Sequence, residues 1–261
     1  MNELSAKKSL GQHFLRDASA VRRIIELLDI EPGDHVLEIG PGPGALTDML
    51  RSSPCTRLTL LEKDDRFASL HASQARAGLE VIHGDALEYP WEKLPAPCKI
   101  VGNLPYNIAS PLMWDIVSRA VGYTRAVFMI QKEVADRILS SPGGKTYGAL
   151  TVWIRSFAVP QKGFVVKPGA FTPPPKVDSA VITLTPLPQN DFPKHPELLA
   201  TLLKLCFQQR RKQLQAILRA HFPQEKVLTS LEKTEIAPAR RPETLTPEEF
   251  QKLALTLFML D

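Results

Sequence analysis

An α/β fold with a largely parallel sheet, followed by a smaller all-helical C-terminal domain, is predicted by three features of this 261-residue sequence. Short apolar segments rich in β-branched residues alternate with longer helical patterns over most of the chain. A proline-rich segment, PLPQNDFPKHP, then ends this alternation, and only helical patterns follow it. Strands separated by helices are typical of βαβ units, whose parallel sheet is covered on both faces.

The elements of the sheet can be assigned in chain order. A helix is predicted to begin after Asp17, because aspartate is a favourable N-cap residue. Strands are predicted at residues 36–39, 58–61, 80–82, 99–103 and 126–130. Helices are predicted among them near residues 45–52, 65–76, 111–121 and 132–140.

The sheet is predicted to end in an antiparallel pair. A helix near residues 148–157 is followed by strand candidates at 158–166 and 179–185, with only a proline-rich loop between them. The four prolines of PLPQNDFPKHP cannot continue a central strand or a helix interior. We therefore place the domain boundary there, with an α/β domain at 1–187 and a helical domain at 188–261.

Composition favours a soluble globular protein. Hydrophobic residues make up 44% and charged residues 23% of the chain, and no segment is long and apolar enough for a membrane span. We expect no secretory signal. The three cysteines form no CxxC pair, which argues against a zinc site and fits a reducing cytoplasm. A net charge of +4 permits a polyanionic partner without requiring one.

A glycine-rich turn follows the first predicted strand, in the sequence Glu38-Ile-Gly-Pro-Gly-Pro-Gly44. Glycine at a strand-to-helix turn lets the backbone approach a ligand, and a helix N-terminus supplies free N–H donors. The spacing is GxGxG rather than GxGxxG, and no Lys-Ser/Thr pair follows. Both the dinucleotide fingerprint and the phosphate-binding P-loop are therefore poor matches.

Acidic residues at the strand ends indicate which ligand the crevice takes. Glu38 lies in the first strand, Glu62 ends the second, and Asp85 follows the third, with no basic residue expected nearby. Such a site suits a ligand that carries positive charge and ribose hydroxyls, as S-adenosylmethionine does. Glu62 would accept hydrogen bonds from the ribose and Asp85 would reach the adenine amine. The alternative is a tight turn in an unrelated α/β protein.

The segment Asn103-Leu104-Pro105-Tyr106 follows the fourth strand and borders the same crevice. The Asn103 side-chain carbonyl and the Leu104 backbone carbonyl could accept both hydrogens of an adenine N6 amine. That arrangement aims the nitrogen lone pair at a sulfonium methyl group, so that catalysis is mainly positioning. Pro105 would stiffen the loop, and the Tyr106 ring would stack on the base. The alternative is a strand-end turn with a buried tyrosine.

Motifs along nearly the whole chain resemble those of the bacterial ribosomal RNA small-subunit (16S) adenine dimethyltransferases. The matching segments are SLGQHFL at 9–15, EIGPGPGALT at 38–47, GDAL at 84–87, NLPY at 103–106, FTPPPKVDSAV at 171–181 and FQQRRKQL at 207–214, together with Glu62. The resemblance implies a Rossmann-like methyltransferase sheet with an antiparallel last strand and a small all-α C-terminal domain. It also implies dimethylation of two adjacent adenosines in the 3′-terminal hairpin loop of 16S rRNA, with S-adenosylmethionine as methyl donor.

The resemblance also assigns roles to individual residues. Cofactor contacts are expected at His13, Leu15, Gly40, Glu62, Asp85 and Asn103; His13 stands where other members often have Asn. Phe171 is expected to stack on the target base opposite Tyr106, which completes a catalytic set of Asn103, Leu104, Pro105, Tyr106 and Phe171. RNA contacts are expected at Arg210, Arg211 and Lys212. We expect a cytoplasmic monomer that acts on the 30S subunit or its precursor, contributes to 30S biogenesis and needs no metal.

Two other functions stay open at this point. The 23S rRNA adenine methyltransferases that confer erythromycin resistance share the fold and a similar Asn-Ile-Pro-Tyr-type motif, although FTPPPKVDS and FQQRRKQL favour the small-subunit family. A non-catalytic assembly or transcription factor could keep the fold and bind nucleic acid. The intact set of Glu62, Asp85 and Asn103–Tyr106 argues against loss of catalysis.

Overall fold

The computed structural model describes residues 6–7, 10–74, 76–209 and 212–259. The chain divides into two units, the first comprising Met1–Ala135 with Pro160–Pro186 and the second Asp136–Val159 with Leu187–Asp261. Residues 136–159 therefore group with the C-terminal helices, which the sequence analysis did not foresee. The proposed limits of independently folding domains, 1–187 and 188–261, stay a prediction.

A seven-stranded mixed sheet forms the first unit, in the order β4-β3-β2-β5-β6-β9-β7. Its strands are β2 (His35–Ile39), β3 (Arg57–Glu62), β4 (Leu79–His83), β5 (Cys98–Asn103), β6 (Tyr123–Gln131), β7 (Ala158–Val166) and β9 (Ser179–Pro186). Strands β2 to β6 pair in parallel, and β9 pairs antiparallel with β6. The α/β prediction, including the antiparallel last strand, is confirmed.

The helices of this unit lie where the apolar periodicity predicts them. They are α1 (Ala18–Leu28), α2 (Thr47–Arg51), α3 (Asp65–Ala72) and α4 (Ala109–Arg119), and α5 (Lys132–Leu139) begins in it. Asp17 caps α1 by accepting a hydrogen bond of 2.9 Å from the amide of Ala20, as expected of an aspartate N-cap.

The order of the strands determines where a ligand can bind. Strand β2 has β3 on one side and β5 on the other. Successive strands are added on one side of β2 up to β4 and on the other side from β5 onward, so the strand order reverses between β2 and β5. In open α/β sheets, ligands bind outside the carboxyl ends of the strands at such a switch point. A separate pair, β1 (Phe14–Leu15) with β8 (Phe171–Thr172), is antiparallel and was not predicted.

The second unit is helical apart from the first residues of β7. Its helices are α6 (Ala149–Phe157), α7 (Pro196–Phe207), α8 (Leu214–Leu218), α9 (Gln224–Lys233) and α10 (Pro247–Met259). The helical pattern of 196–218 contains two helices, α7 and α8. The Tyr147 hydroxyl ahead of α6 donates to the Leu245 carbonyl ahead of α10 at 2.7 Å. Within the described ranges, every helix is too short or too polar to cross a membrane.

Candidate active site

A cavity of about 170 Å³ opens at the carboxyl ends of the parallel strands. It is lined by Leu10–Leu15, Glu38–Pro43, Ala45, Leu46, Leu61–Lys63, Gly84–Leu87 and Asn103–Ile108. The predicted glycine turn, strand-end acids and NLPY segment therefore border one space.

The glycine turn depends on backbone conformations that L-residues rarely adopt. Gly40, Gly42 and Gly44 have φ angles of 65°, 53° and 104°, and residues with a Cβ are strained in that region. A Cβ on Gly42 would also lie 3.3 Å from the Phe14 ring. The amide of Gly42 donates to Glu62 Oε2 at 2.9 Å, which ties the turn to the end of β3.

Two buried carboxyl groups lie at the floor of the cavity. Glu38 accepts a hydrogen bond of 2.7 Å from the Thr47 hydroxyl. Burial raises the pKa of Glu38 to about 8, and the nearby Glu62 adds to that effect. Glu62 accepts the Gly42 amide on Oε2 and the Asp64 amide, at 2.7 Å, on Oε1. Because each carboxylate oxygen can accept two hydrogen bonds, Glu62 keeps acceptor capacity toward the cavity.

Asp85 has a basic neighbour, which corrects the expectation from the sequence that the acids lie without one. Lys63 follows Glu62 at the end of β3 and forms an ion pair with Asp85 beyond the end of β4. Burial alone would raise the pKa of Asp85, but the hydrogen bonds from Lys63 and from the Leu87 amide outweigh burial and lower it. Asp85 is therefore paired with a lysine, whereas Glu38 and Glu62 have no basic partner among the residues that line the cavity.

Asn103 is held with a defined amide orientation. Its side-chain nitrogen, Nδ2, donates to the backbone carbonyl of His13 at 2.8 Å. A carbonyl oxygen can only accept, so the atom that faces His13 must be the amide nitrogen. The side-chain oxygen, Oδ1, therefore lies on the other side of the amide group. The next residue, Leu104, is buried, and its amide donates to the Met129 carbonyl of β6 at 3.0 Å.

Tyr106 is fixed at its hydroxyl and on one ring face. The hydroxyl lies 2.7 Å from the Ser179 hydroxyl of β9. The His13 ring stacks on Tyr106 with the ring centroids 5.6 Å apart and the planes at 28°. His13 is in turn held by Nδ1, which lies 2.7 Å from the Pro173 carbonyl. One face of the Tyr106 ring is thus occupied from within the chain, and only the other can meet a base.

Phe171 is not brought to the cavity. Its side chain is only 4% exposed and packs in the apolar core, where Leu15 and Val166 also lie. The β1–β8 pair sets Phe171 opposite Leu15. The ring that stacks on Tyr106 is that of His13. The expected stacking of Phe171 on a target base stays a prediction.

Asp64 does not line the cavity but contacts two residues that do, Gln12 and Glu62, and the sequence analysis missed it. Its buried carboxylate accepts hydrogen bonds of 3.1 Å from Lys7 and from the Gln12 amide, and it also pairs with Arg66. The hydrogen bonds from Arg66 are the largest cause of its strongly lowered pKa. Asp64 is also the N-cap of α3, and an N-cap two residues after Glu62 is the signal that could have drawn attention to it.

Of the predicted RNA-contact residues, Lys212 belongs to the second unit and does not line this cavity. Arg210 and Arg211 lie outside the described residues, whereas Lys212 is exposed. Lys212 borders a shallow surface depression with Gln208, Gln209 and Lys145; the sequence analysis did not single out Lys145. A search of the described ranges for three or more His, Cys, Asp or Glu side chains placed around a common metal position found none.

Comparison with known proteins gives consistent matches over nearly the whole chain. Residues 3–257 match the profile of the family described as ribosomal RNA adenine dimethylase. A ribosomal RNA small subunit methyltransferase A from Nitratidesulfovibrio vulgaris (strain DP4) is 52% identical over 259 residues, which cover 97% of both chains. A dimethyladenosine transferase structure from Plasmodium falciparum superposes with a TM-score of 0.80 at 30% identity, over 92% of this chain and 96% of that one. The 23S rRNA methyltransferase ErmE gives a TM-score of 0.67 at 28% identity, over 94% and 100%.

Proposed function

Because the chain belongs to the ribosomal RNA adenine dimethylase family, we propose that its cavity binds S-adenosylmethionine and methylates N6 of two adjacent adenosines in the 3′-terminal hairpin loop of 16S rRNA. The chain is an rRNA adenine dimethyltransferase, in line with the full-length relatives named ribosomal RNA small subunit methyltransferase A. The cavity at the switch point of the sheet supplies the site for both the cofactor and the base.

The residues present fit S-adenosylmethionine. The glycine turn has no Cβ at its three positive-φ positions, so the backbone is open to a close ligand. Glu62 gives the cavity the negative charge that suits a sulfonium and an ammonium group. Glu62 would hold the ribose hydroxyls and Asp85 the adenine amine, while His13, Leu15 and Gly40 would complete the cofactor contacts. When bound, the cofactor supplies an electrophilic methyl group.

On the substrate side, the chain's own groups orient the target amine. Asn103 Oδ1 and the Leu104 carbonyl would accept the two N6 hydrogens, which directs the nitrogen lone pair away from both acceptors. Pro105 restricts the backbone of this segment. The face of Tyr106 away from His13 would stack on the base. Phe171 would have to leave the apolar core to meet the opposite face of the base. Fixed dipoles and positioning therefore supply the catalysis without a general base.

The remaining parts of the proposal concern the larger substrate. The 30S subunit or its precursor is proposed as the partner, with Arg210, Arg211 and Lys212 contacting rRNA phosphates and adding salt-dependent affinity. In each transfer the N–CH3 bond forms as the S–CH3 bond breaks, the thioether product S-adenosylhomocysteine leaves, and the cationic nitrogen releases a proton to solvent. After one transfer the amine keeps a single hydrogen, so the base must turn before fresh cofactor adds the second methyl group. We propose that the protein works as a cytoplasmic monomer that contributes to 30S biogenesis; gel filtration with light scattering would test its oligomeric state.

One observation carries the proposal: the Asn103 amide is oriented by His13 in the same cavity as the Glu62 carboxylate. The test incubates the purified protein with labelled S-adenosylmethionine and 30S particles that lack the methylation, followed by mass spectrometry of the RNA. Two adjacent dimethyladenosines near the 3′ end of 16S rRNA are expected, and with Asn103→Ala they should form about 100- to 1,000-fold more slowly. Methylation of naked 23S rRNA and not of 30S particles would overturn the substrate assignment.

A further inference from the structure

The glycine turn is held at Gly42 from two sides. Its amide donates to Glu62, as described above, and its carbonyl accepts a hydrogen bond from His71 Nε2 at 2.9 Å. His71 belongs to α3 and is only 2% exposed. The His71 ring also packs beneath the turn, since a Cβ on Gly44 would lie 3.4 Å from its Cε1 atom. A single buried histidine thus supports two of the three positive-φ glycines.

The hydrogen bond defines the chemical state of this histidine. Because the Gly42 carbonyl can only accept, Nε2 must carry the proton. Burial lowers the pKa of His71, and the positive charge of Arg51 acts in the same direction, while Gly42, Glu62 and Asp48 oppose them. The ring is therefore neutral at pH 7, and its Nδ1 atom faces the Arg51 guanidinium at 3.5 Å.

The two restraints on Gly42 differ in what happens when a ligand arrives. Glu62 is shared, because the same carboxylate that holds the Gly42 amide is proposed to receive the ribose hydroxyls. His71 lies on the other side of the turn and is not among the residues that line the cavity. Its hydrogen bond can therefore persist unchanged while the ligand enters. A glycine at φ 53° has more alternative conformations than any other residue, so the turn depends on such restraints.

We propose that His71 is a positioning residue for the methyl donor, which keeps the glycine turn in its binding-competent conformation before the donor binds. The proposal rests on the function proposed above. Without His71 the free protein would also populate turn conformations that cannot bind the donor. The apparent Kd for the donor would then rise in proportion to the loss of molecules whose turn is in the binding conformation. Once the donor is bound the turn is ordered again, so the rate at saturation should change little.

The test compares His71→Leu and His71→Gln with a matched control, His35→Leu. His35 is also a buried histidine of the first unit, with Nε2 at 2.9 Å from the Thr59 hydroxyl. It begins β2, at the opposite end of the strand from the glycine turn and about 13 Å from the carboxyl end. Glutamine at position 71 keeps an N–H donor, whereas leucine removes it.

Titration calorimetry with S-adenosylmethionine, methyl-transfer kinetics on 30S particles and thermal melting give three independent readouts. For His71→Leu we expect Kd and the KM for the donor to rise about tenfold, with kcat within about twofold of the wild type. His71→Gln should recover most of the affinity. His35→Leu should lower Tm at least as much while it leaves Kd unchanged.

Wild-type affinity in His71→Leu would overturn the inference, and so would an equal loss of affinity in His35→Leu. If His71→Leu does not fold, His71→Met takes its place, because methionine also lacks an N–H donor. Wild-type affinity in His71→Met would then overturn the inference. Failure of the wild-type protein to bind the donor would instead overturn the proposed function and this inference with it. The two failures are distinguished by the wild-type titration alone.

Discussion

Replacing Asn103 by aspartate exchanges one atom, the amide nitrogen that donates to the His13 carbonyl at 2.8 Å. In Asn103→Asp that position holds an oxygen, and at neutral pH two acceptors would face each other. Leaving a buried acceptor without its donor costs about 1–3 kcal/mol. If the transition state depends on this orientation, the cost corresponds to a loss of roughly 5- to 150-fold in kcat.

The pH dependence makes this prediction specific. A carboxyl group that faces a carbonyl has a raised pKa, because its charged form lacks a donor there. As pH falls through that pKa, the protonated oxygen becomes a donor to His13 again and the other oxygen stays an acceptor. The ratio of the Asn103→Asp rate to the wild-type rate should therefore rise as pH falls from 8 toward about 5.5. Asn103→Ala, which has neither group, should lose about 100- to 1,000-fold at every pH.

Single-turnover methyl transfer at saturating S-adenosylmethionine and 30S particles is the appropriate assay, with each variant compared with the wild type at the same pH. Calorimetric titration with the donor at each pH checks that binding is saturated. A ratio that stays flat with pH, together with near-normal transfer by Asn103→Ala, would refute the role assigned to the hydrogen bond between Asn103 and His13.

Substitutions at three further residues test the groups around the cavity. Glu62→Gln puts an amide nitrogen against a backbone N–H, where two donors face each other. The Kd for S-adenosylmethionine, measured by calorimetry, should therefore rise at least tenfold. An unchanged Kd would remove Glu62 from the cofactor site. The pKa of Glu38 is raised to about 8 from an ordinary 4.5. Between pH 4.5 and about 8 the folded protein therefore binds more protons than the unfolded chain. Its free energy of unfolding should fall as pH rises through this range. Urea unfolding at a series of pH values should give a flatter profile for Glu38→Gln, and an equal slope would contradict the assignment. Tyr106→Phe loses only the hydrogen bond to Ser179, so it should cost about 1 kcal/mol of stability and retain methyl transfer. Tyr106→Ala should also lose about 1–3 kcal/mol of stacking on the base, which would appear as weaker RNA binding. Equal RNA binding by the two variants would exclude stacking.

The sheet and the location of the site follow from the order of elements along the chain. Strands β2 to β6 are short, apolar and separated by helices, so their parallel arrangement could be predicted from sequence. Because parallel strands end at the same edge, a glycine turn after β2, an acid ending β3 and an asparagine ending β5 had to meet. The Asp17 cap is an equally local signal.

The contacts that complete the site depend on side-chain reach and on pairing between distant segments. The ion pair between Lys63 and Asp85 joins the ends of two strands, and either residue alone is typical of a solvated surface. The stacking of His13 on Tyr106 and the burial of Phe171 both follow from the two-residue pairing of β1 with β8. A pairing so short has no periodicity that a sequence pattern could show.

The second unit is made from two pieces of chain, residues 136–159 and 187–261, and this affects its synthesis. Helix α6 emerges from the ribosome well before α7 and α10, against which it packs. The apolar side chains of α6, such as Trp153 and Phe157, must stay exposed until translation is almost complete. A chain that stops prematurely after β9 would keep these side chains without their partners, which marks such fragments for chaperones or proteolysis.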